Sequence, residues 1–532
     1  MPFSSGLRVE ELLSESAYSH AVTRLALKQT HLSWIVLTGS FAYKLKKPVR
    51  FDFVDASTLE RRRHLCQEEL RLNRRFAPEL YLDVVPITRD ADRLKVGGSG
   101  EPIEYAVRMR EFAEAQELGS RLEHDAVTPE DISALGGLLA GKHESAEPAS
   151  VDGPFGTLPT VRQPMLDNFS LLRARLGNSQ QMQQLARLEA WTLHSLSQLE
   201  PVIEARRRSG RVRECHGDLH ARNIVWWEDR WLPFDCLEFD PRLRWIDVMS
   251  DAAYLYMDLV SRSRSDLASY FLNRYLEVSG DYEGLRLLHL YCSYRALVRA
   301  KVDAIWADSA DPSERVEIED RLARRLAAAM LFMDAEQPSM ILMHGVTASG
   351  KSWLSDRLAG VLPAIRVRSD LERKRLAGVD ELAHRGLAVG TGSYARVETQ
   401  RTYDRLLACA DAALEGRCSI IVDATFLDAR ERARFRALAQ LRRCRFLIVS
   451  CVADPAILAR RLERRKLGGR DPSEATRDVL DDQLKHRQPL DATEKPLSLE
   501  VDTDGATTFA SIVGQIRGWL GRAGPAKSPA LC

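Results

Sequence analysis

Met340-Ile341-Leu342-Met343-His344-Gly345-Val346-Thr347-Ala348-Ser349-Gly350-Lys351-Ser352 is an apolar run that ends on Gly-x4-Gly-Lys-Ser. The apolar part reads as a strand and the residues after Ser352 as a helix. That flanking context turns a spacing match into a phosphate-cradling loop. Glycine at 345 and 350 lets backbone N–H groups converge on phosphate oxygens. Thr347, Ala348, Ser349 and Gly350 would line that cradle. Lys351 would reach the β- and γ-phosphates, and Ser352 would ligate Mg²⁺.

Outward from this loop, stretches 364–367, 419–422 and 446–452 read as further strands alternating with helical segments. Such alternation predicts a parallel sheet with helices on both faces. Asp423 ends the apolar run Ser419-Ile-Ile-Val422 and is suited to a second, water-mediated carboxylate on Mg²⁺. Asp370 follows Ile365-Arg-Val-Arg-Ser369 at the C-terminal edge of the sheet, where open α/β folds place their ligands. Upstream, the polar segment Asp334-Ala-Glu-Gln-Pro338 suggests a domain boundary. The expected division is 1–335, 336–522 and a disordered tail over 523–532.

A second signature lies at His216-Gly217-Asp218-Leu219-His220-Ala221-Arg222-Asn223, with Phe234-Asp235 following twelve residues after the asparagine. Phosphoryl transfer needs metal-held phosphates and a carboxylate near the acceptor hydroxyl. Asp218 is the candidate to orient that hydroxyl and take its proton. Asn223 has the Asp-to-Asn spacing of a kinase catalytic loop and would bind a metal ion. Ile224-Val-Trp-Trp227 and Trp231-Leu-Pro-Phe234 predict a hairpin across Glu228-Asp229-Arg230, which returns Asp235 to face Asn223. His216 would brace the loop.

Residues 31–56 read as a strand hairpin turning at Gly39, and 57–76 as a helix with Leu65, Glu69, Leu72 and Phe76 on one face. Two more strands surround the turn at Gly97-Gly98-Ser-Gly100. From about 111 to 208, and again over 250–335, the pattern is helical. Thr128-Pro129-Glu130-Asp131 supplies a helix start.

Bulk properties narrow the class. The 532 residues exceed a single core. A net charge of +1 gives no global field for nucleic acid or acidic membranes. The basic run Arg430-Glu-Arg-Ala-Arg434-Phe-Arg436 with Arg442-Arg443 could line a polynucleotide groove, against which the balanced charge counts. Nine cysteines without a Cys-x-x-Cys pair fit a reducing compartment. Neither a signal peptide nor a spanning apolar run is visible, so the cytoplasm is the expected location.

His-Gly-Asp-x4-Asn with the apolar-Asp strand, Trp245-Ile-Asp247-Val-Met-Ser-Asp251 and Leu138-Leu-Ala-Gly-Lys-His143 resemble the aminoglycoside phosphotransferase-like branch of the protein kinase fold. The resemblance spans roughly residues 30–330 and implies a bilobal domain. It also implies a strand lysine on the phosphates, paired with a helix glutamate. Lys44, in Ala42-Tyr43-Lys44, is the first choice, with Lys46 on the same face left open. Glu69 is the partner favoured by the apolar helix face, with Glu68 the alternate. The Gly-x-Gly-x-x-Gly loop of that fold is missing, and only Gly39 lies near the expected turn.

Gly345–Ser352 with Val422-Asp423-Ala-Thr425 and Ser369-Asp370-x-x-Arg373-Lys374 resembles the small P-loop kinases. That likeness implies that Asp370 activates the acceptor hydroxyl and that lid arginines, here Arg464, Arg465 and Arg470, reach the phosphates. Tyr394 and Tyr403 fall to the substrate wall or to packing. The whole order resembles bacterial fusions of an aminoglycoside phosphotransferase-like domain with an AAA-type or zeta-toxin-like P-loop domain. It implies a bifunctional, ATP- and Mg²⁺-dependent kinase of small hydroxylated molecules, with one catalytic domain beside a nucleotide-sensing one, or a polynucleotide-end kinase, as the alternatives.

Overall fold

The structure is a computed structural model that describes residues 7–51, 54–90, 93–308, 310–379, 393–468, 476–505 and 507–522. The tail 523–532, Arg470, and the side chains of Arg465 and Tyr394 lie outside the described residues. Two compact units emerge. The first comprises Met1–Asp131, Gly141–Leu176 and Leu196–Asp258; the second comprises Ile132–Ala140, Gly177–Ser195 and Leu259–Cys532.

The first unit opens on strands β1 (Ala26–Gln29), β2 (Ser33–Leu37) and β3 (Phe41–Lys46), then the short β4 (Arg50–Phe51) and β5 (Val54–Asp55). Helix α1 (Leu59–Asn73) follows, then β6 (Tyr81–Asp90), β7 (Arg93–Val96) and β8 (Pro102–Arg110). Six of these strands form an antiparallel sheet in the order β1-β2-β3-β8-β6-β7. Strands β1 and β7 were not read from the sequence. β3 shows the two-residue period of a pleated strand. Tyr43 and Leu45 enter the cluster of Val9, Leu12 and Val36, while Ala42 joins Cys66 of α1, Tyr81 and Val107 on the other face. Lys44 and Lys46 share the parity of Ala42, so both ammonium groups are directed toward α1. Thr58 caps that helix by accepting the Arg61 N–H at 3.3 Å.

Helices α2 (Leu118–Glu123), α3 (Pro129–Ser145), α4 (Leu158–Arg173) and α5 (Ser179–Arg208) come next. Thr128 and Asp131 form the expected capping box on α3. Then β9 (Val212–Glu214), the hairpin β10 (Ile224–Trp227) and β11 (Arg230–Pro233), β12 (Trp245–Asp247) and α6 (Val248–Ser261) frame the His216–Asn223 loop read above.

The second unit contains α7 (Ser265–Ser279), α8 (Leu285–Ala307) and α9 (Pro312–Met333), followed by β13 (Ser339–His344) and α10 (Lys351–Val361). Next are β14 (Ala364–Arg368), α11 (Ser369–Leu376), α12 (Ser393–Glu415), β15 (Ser419–Asp423) and α13 (Ala429–Leu441). It ends with β16 (Arg445–Val452), α14 (Pro455–Gly468), α15 (Arg477–His486), β17 (Ser498–Asp502) and α16 (Phe509–Arg522). The sheet is wholly parallel, in the order β14-β15-β13-β16-β17. β13 is central and almost completely buried, which explains its unbroken apolar sequence. Helices α7–α9 group with this sheet, so the segment around 335 lies inside the second unit.

Candidate functional site

Gly217 makes the turn that presents Asp218. Its φ is +86°, and a Cβ there would sit 2.9 Å from the Leu243 carbonyl oxygen. The turn is braced from below by Asp251 of α6, which is fully buried. Asp251 accepts the His216 N–H at 3.0 Å and the Gly217 N–H at 2.9 Å, and lies 3.1 Å from His143 Nε2. Asp251, His143 and Cys215 place potential ligand atoms within 4.8 Å of one another. With the Asp251 carboxylate committed to two loop amides, the cluster is a brace for the turn.

His216 is buried, and burial lowers its pKa, so the ring is neutral. With its proton on Nε2 it donates to the Phe234 carbonyl at 2.8 Å, and Nδ1 accepts the Asp218 N–H at 3.3 Å. One imidazole thus fixes the segment ending at Asp235 against the segment carrying Asp218. Asn223 Nδ2 donates to the Asp218 carbonyl (3.0 Å) and to its Oδ2 (3.1 Å). The hairpin between them is tighter than the three-residue turn expected. Trp227 pairs with Arg230, leaving only Glu228 and Asp229 in the turn, both at positive φ as a type I′ turn requires. Asp235 also has positive φ (+62°), and its N–H donates to Tyr81 Oη at 3.0 Å.

Across from Asp235 stands a chain of alternating charges. Lys44 Nζ pairs with Asp235 and lies 2.8 Å from Glu69 Oε1. Lys46 Nζ lies 2.5 Å from Glu69 Oε2 and pairs with Glu238. The sequence left Lys44 and Lys46 as alternatives; the structure puts both on Glu69, with Lys44 alone of the two on Asp235. Glu68 faces elsewhere, 2.9 Å from Arg71 and 3.4 Å from Arg244. Burial opposes the Lys44 charge, but Asp235 and Glu69 outweigh it and raise its pKa well above the ordinary value. Glu69 is likewise resisted by burial, yet Lys44 and Lys46 hold it down at about 2. Burial pushes Glu238 the other way, upward, against Lys46. The strand connections nearby carry no glycine-rich loop. β1 and β2 are joined by Thr30-His31-Leu32, and the Gly39 N–H is already used on Glu111 Oε2 at 2.7 Å.

In the second unit the loop from Gly345 to Ser352 joins β13 to α10. Gly345, Ala348 and Gly350 have φ of +138°, +61° and +88°. A Cβ at Gly345 would meet the Cys451 carbonyl oxygen at 2.5 Å, so the sheet itself demands glycine there. Lys351 Nζ folds back to donate to the Val346 carbonyl at 2.7 Å. The Thr347 N–H donates to Gln483 Oε1 of α15 at 2.7 Å. Outside the loop, Arg461 donates to the Ala348 carbonyl (3.3 Å) and to Thr503 Oγ1 (2.9 Å), and Thr503 Oγ1 donates to the Ser349 carbonyl (3.0 Å).

Ser352 lies in the first turn of α10, and Asp423 ends β15. The buried Asp423 carboxylate accepts Ser355 Oγ at 2.9 Å and Arg366 Nη2 at 3.2 Å. Burial would raise its pKa, but Arg366, Arg368 and Lys351 lower it below the ordinary carboxylate value. Arg368 of β14 is in register with Asp423, which sets Asp370, two residues on in the first turn of α11, beside that strand end. Asp370 Oδ1 lies 3.0 Å from Arg373. Arg464 is exposed on α14. Tyr403 resolves to packing: it is buried, its hydroxyl accepts the Phe426 N–H at 3.1 Å, and its ring meets that of Phe426.

The sequence reading missed Glu238, Arg366, Arg461 and Gln483. Only Glu238 had a local signal, three residues past Asp235 in the same turn. The others reach their sites from segments distant in sequence. Both candidate metal sets, Asn223 with Asp235 and Ser352 with Asp423, offer oxygen donors alone, which suits a hard cation such as Mg²⁺.

Comparison with known proteins finds two family matches, the first of which runs past Asp258 into the second unit. Residues 43–288 match the model described as the phosphotransferase enzyme family, and residues 340–490 match that of an AAA domain. An uncharacterized protein of Mycobacterium tuberculosis is 29% identical over 456 residues, covering 85% of this chain and 89% of its own. One from Mycobacterium bovis aligns with the same values. Among solved structures, a choline/ethanolamine kinase family protein from Mesorhizobium loti is 10% identical, at a TM-score of 0.35, over 62% of this chain and 99% of its own. A gluconokinase from Sinorhizobium meliloti is 22% identical, at a TM-score of 0.24, over 35% of this chain and 94% of its own. The chain thus carries a phosphotransferase-family domain of the kinase-like fold followed by a P-loop domain of the AAA type.

Proposed function

We propose that the protein is a bifunctional ATP-dependent phosphotransferase, each site moving the γ-phosphate of ATP to a hydroxyl of a small molecule. The observation that carries the first site is the His216 ring, which ties the Asp218 segment to the Asp235 segment while Asp235 contacts Lys44. In this reading Lys44 grips the phosphates, braced by Glu69. Asn223 and Asp235 hold Mg²⁺, which when bound neutralises phosphate charge. Asp218 orients the acceptor hydroxyl and takes its proton. At the second site the amides of Thr347–Gly350 and Lys351 cradle the phosphates, the Thr347 amide exchanging Gln483 for a phosphate oxygen, and Arg464 of α14 is the lid arginine among the described residues. Ser352 and Asp423 hold Mg²⁺, and Asp370 receives the acceptor proton.

One feature counts against a polynucleotide acceptor. Arg430, Arg432, Arg434 and Arg442 each pair with a carboxylate, at Asp428, Glu494, Asp404 and Asp411 respectively. Four of the six arginines of the candidate polynucleotide groove are therefore already matched by carboxylates. Among the described residues no helix is long and apolar enough to cross a membrane. One observation favours a second reading, in which the kinase-like domain senses nucleotide without transferring it: the Gly39 amide is spent on Glu111. A screen with γ-labelled ATP across small hydroxylated metabolites, aminoglycosides and 5′-hydroxyl oligonucleotides separates the readings. Bifunctional transfer requires two labelled products, one lost with Asp218→Asn and the other with Asp370→Asn. Product lost only with Asp370→Asn would favour the sensor.

A further inference from the structure

Among the described residues β14 is the edge strand of the parallel sheet, so one side of its backbone has no strand neighbour there. Asn273 of α7 supplies what a neighbouring peptide would. Its Nδ2 donates to the Ala364 carbonyl at 3.0 Å, and its Oδ1 accepts the Arg366 N–H at 2.6 Å. Asn273 is itself buried and anchored, Nδ2 also donating to the Ser269 carbonyl of its own helix at 2.9 Å. Tyr282 Oη donates to the Arg366 carbonyl at 3.3 Å. Both backbone polar groups of Arg366 are therefore fixed from the helical side.

The Arg366 side chain carries that placement into the P-loop site. Glu277, one helical turn beyond Asn273, has its Oε1 3.8 Å from Arg366 Nη1 and 4.0 Å from Arg368 Nη1. Arg366 also lies 2.8 Å from Asp356 Oδ1, and its Nη2 donates to the Ser352 carbonyl at 3.0 Å and to Asp423 Oδ2 at 3.2 Å. Ser352 and Asp423 are the two candidate Mg²⁺ ligands, and one guanidinium holds both. Asn273 and Glu277 fall within residues 43–288, matched to the phosphotransferase family, and outside the 340–490 match of the P-loop domain.

We propose that Asn273 and Glu277 are positioning residues of the P-loop site, acting through Arg366 on Asp423 and Ser352. The inference rests on reading those two as the metal ligands. Partners that orient a metal-binding carboxylate commonly govern metal affinity by about 10- to 100-fold. The metal chemistry of the second domain is then set by a helix that sequence comparison gives to the first.

The test is calorimetric titration of the full chain, in an Asp235→Ala background, with a non-hydrolysable ATP analogue with and without Mg²⁺. The quantity read is the gain in affinity that Mg²⁺ confers, which a purely structural role would leave unchanged. Asn273→Ala is expected to cut that gain by about tenfold, and Glu277→Gln by a few-fold. Asn273→Ala added to Arg366→Lys should have little further effect, since both act on the same contact. If Asn273→Ala does not fold, Glu277→Gln decides. A Mg²⁺ gain unchanged in both variants, or effects that add fully to Arg366→Lys, overturns the proposal while the P-loop reading stands. No Mg²⁺-dependent binding in the background protein, or binding that survives Lys351→Ala, overturns the P-loop reading itself.

Discussion

The two sites are held ready by opposite means. The first is built from a chain of charges of alternating sign, Asp235, Lys44, Glu69, Lys46 and Glu238, of which all but Asp235 are withdrawn from water, with Glu69 fully buried between two lysines. The second is built from backbone, with three residues at positive φ in one loop and a glycine pressed against the Cys451 carbonyl. Buried charges persist only when each is matched, because an uncompensated one is far costlier than a lost contact. A loop of amides needs room and the right dihedrals instead. The first site should therefore break by subtraction and the second by addition.

The largest effect expected is from Lys46→Met. It leaves Glu238 without its lysine and removes one of two cations on Glu69, and should cost about 3–5 kcal/mol of stability in denaturant unfolding. Adding Glu238→Gln should recover much of that loss. A single variant as stable as the native chain would mean that the charge chain is not what holds the site.

Gly345→Ala should act on the other unit and by crowding. Its added methyl meets the Cys451 carbonyl at 2.5 Å in a backbone conformation unfavourable for alanine. A loss of about 1–3 kcal/mol is expected, with nucleotide binding lost at the second site and kept at the first. Unchanged binding at the second site would show that the loop tolerates a side chain and that its backbone is not the critical element.

At neutral pH the smallest difference is expected, and acid should then separate the units. Burial, with Arg432 and Lys351, lowers His344 to about 4, so the unfolded chain takes up a proton that the folded chain refuses. Its contribution is present above the ordinary value of 6.5 and is lost as pH falls from there toward 4. Glu69, depressed to about 2 by its lysines, stabilises above the usual 4.5 and loses that contribution only as pH falls from 4.5 toward 2. His344→Gln should flatten the pH dependence of the unfolding midpoint between 6.5 and 4. A slope in that window unaffected by the substitution would assign it to another group.

How far each site was legible in the sequence follows from the same contrast. The P-loop could be read because its geometry is local: glycine spacing, one lysine and one serine follow a single strand. Asp218, Asn223 and Asp235 were legible because a short hairpin keeps them near in sequence. Lys46 shared the face of Lys44, yet its role needed Glu238, which approaches from a turn some 190 residues away. Arg366 looked like one more polar residue in a strand. Only the fold shows it clasped between Asn273 and Asp423. The edge strand β17 escaped notice because its alternating sequence has little apolar content.

The central claim, that one chain holds two working nucleotide sites of unrelated design, is tested most directly by counting them. Equilibrium titration of the intact protein with Mg²⁺ and a non-hydrolysable ATP analogue should give two equivalents. Asp235→Ala should remove one and Lys351→Ala the other, with any coupling between them worth about 1–3 kcal/mol. A single equivalent, lost on Lys351→Ala and untouched by Asp235→Ala, would make the charge chain of the first unit a scaffold and contradict the account.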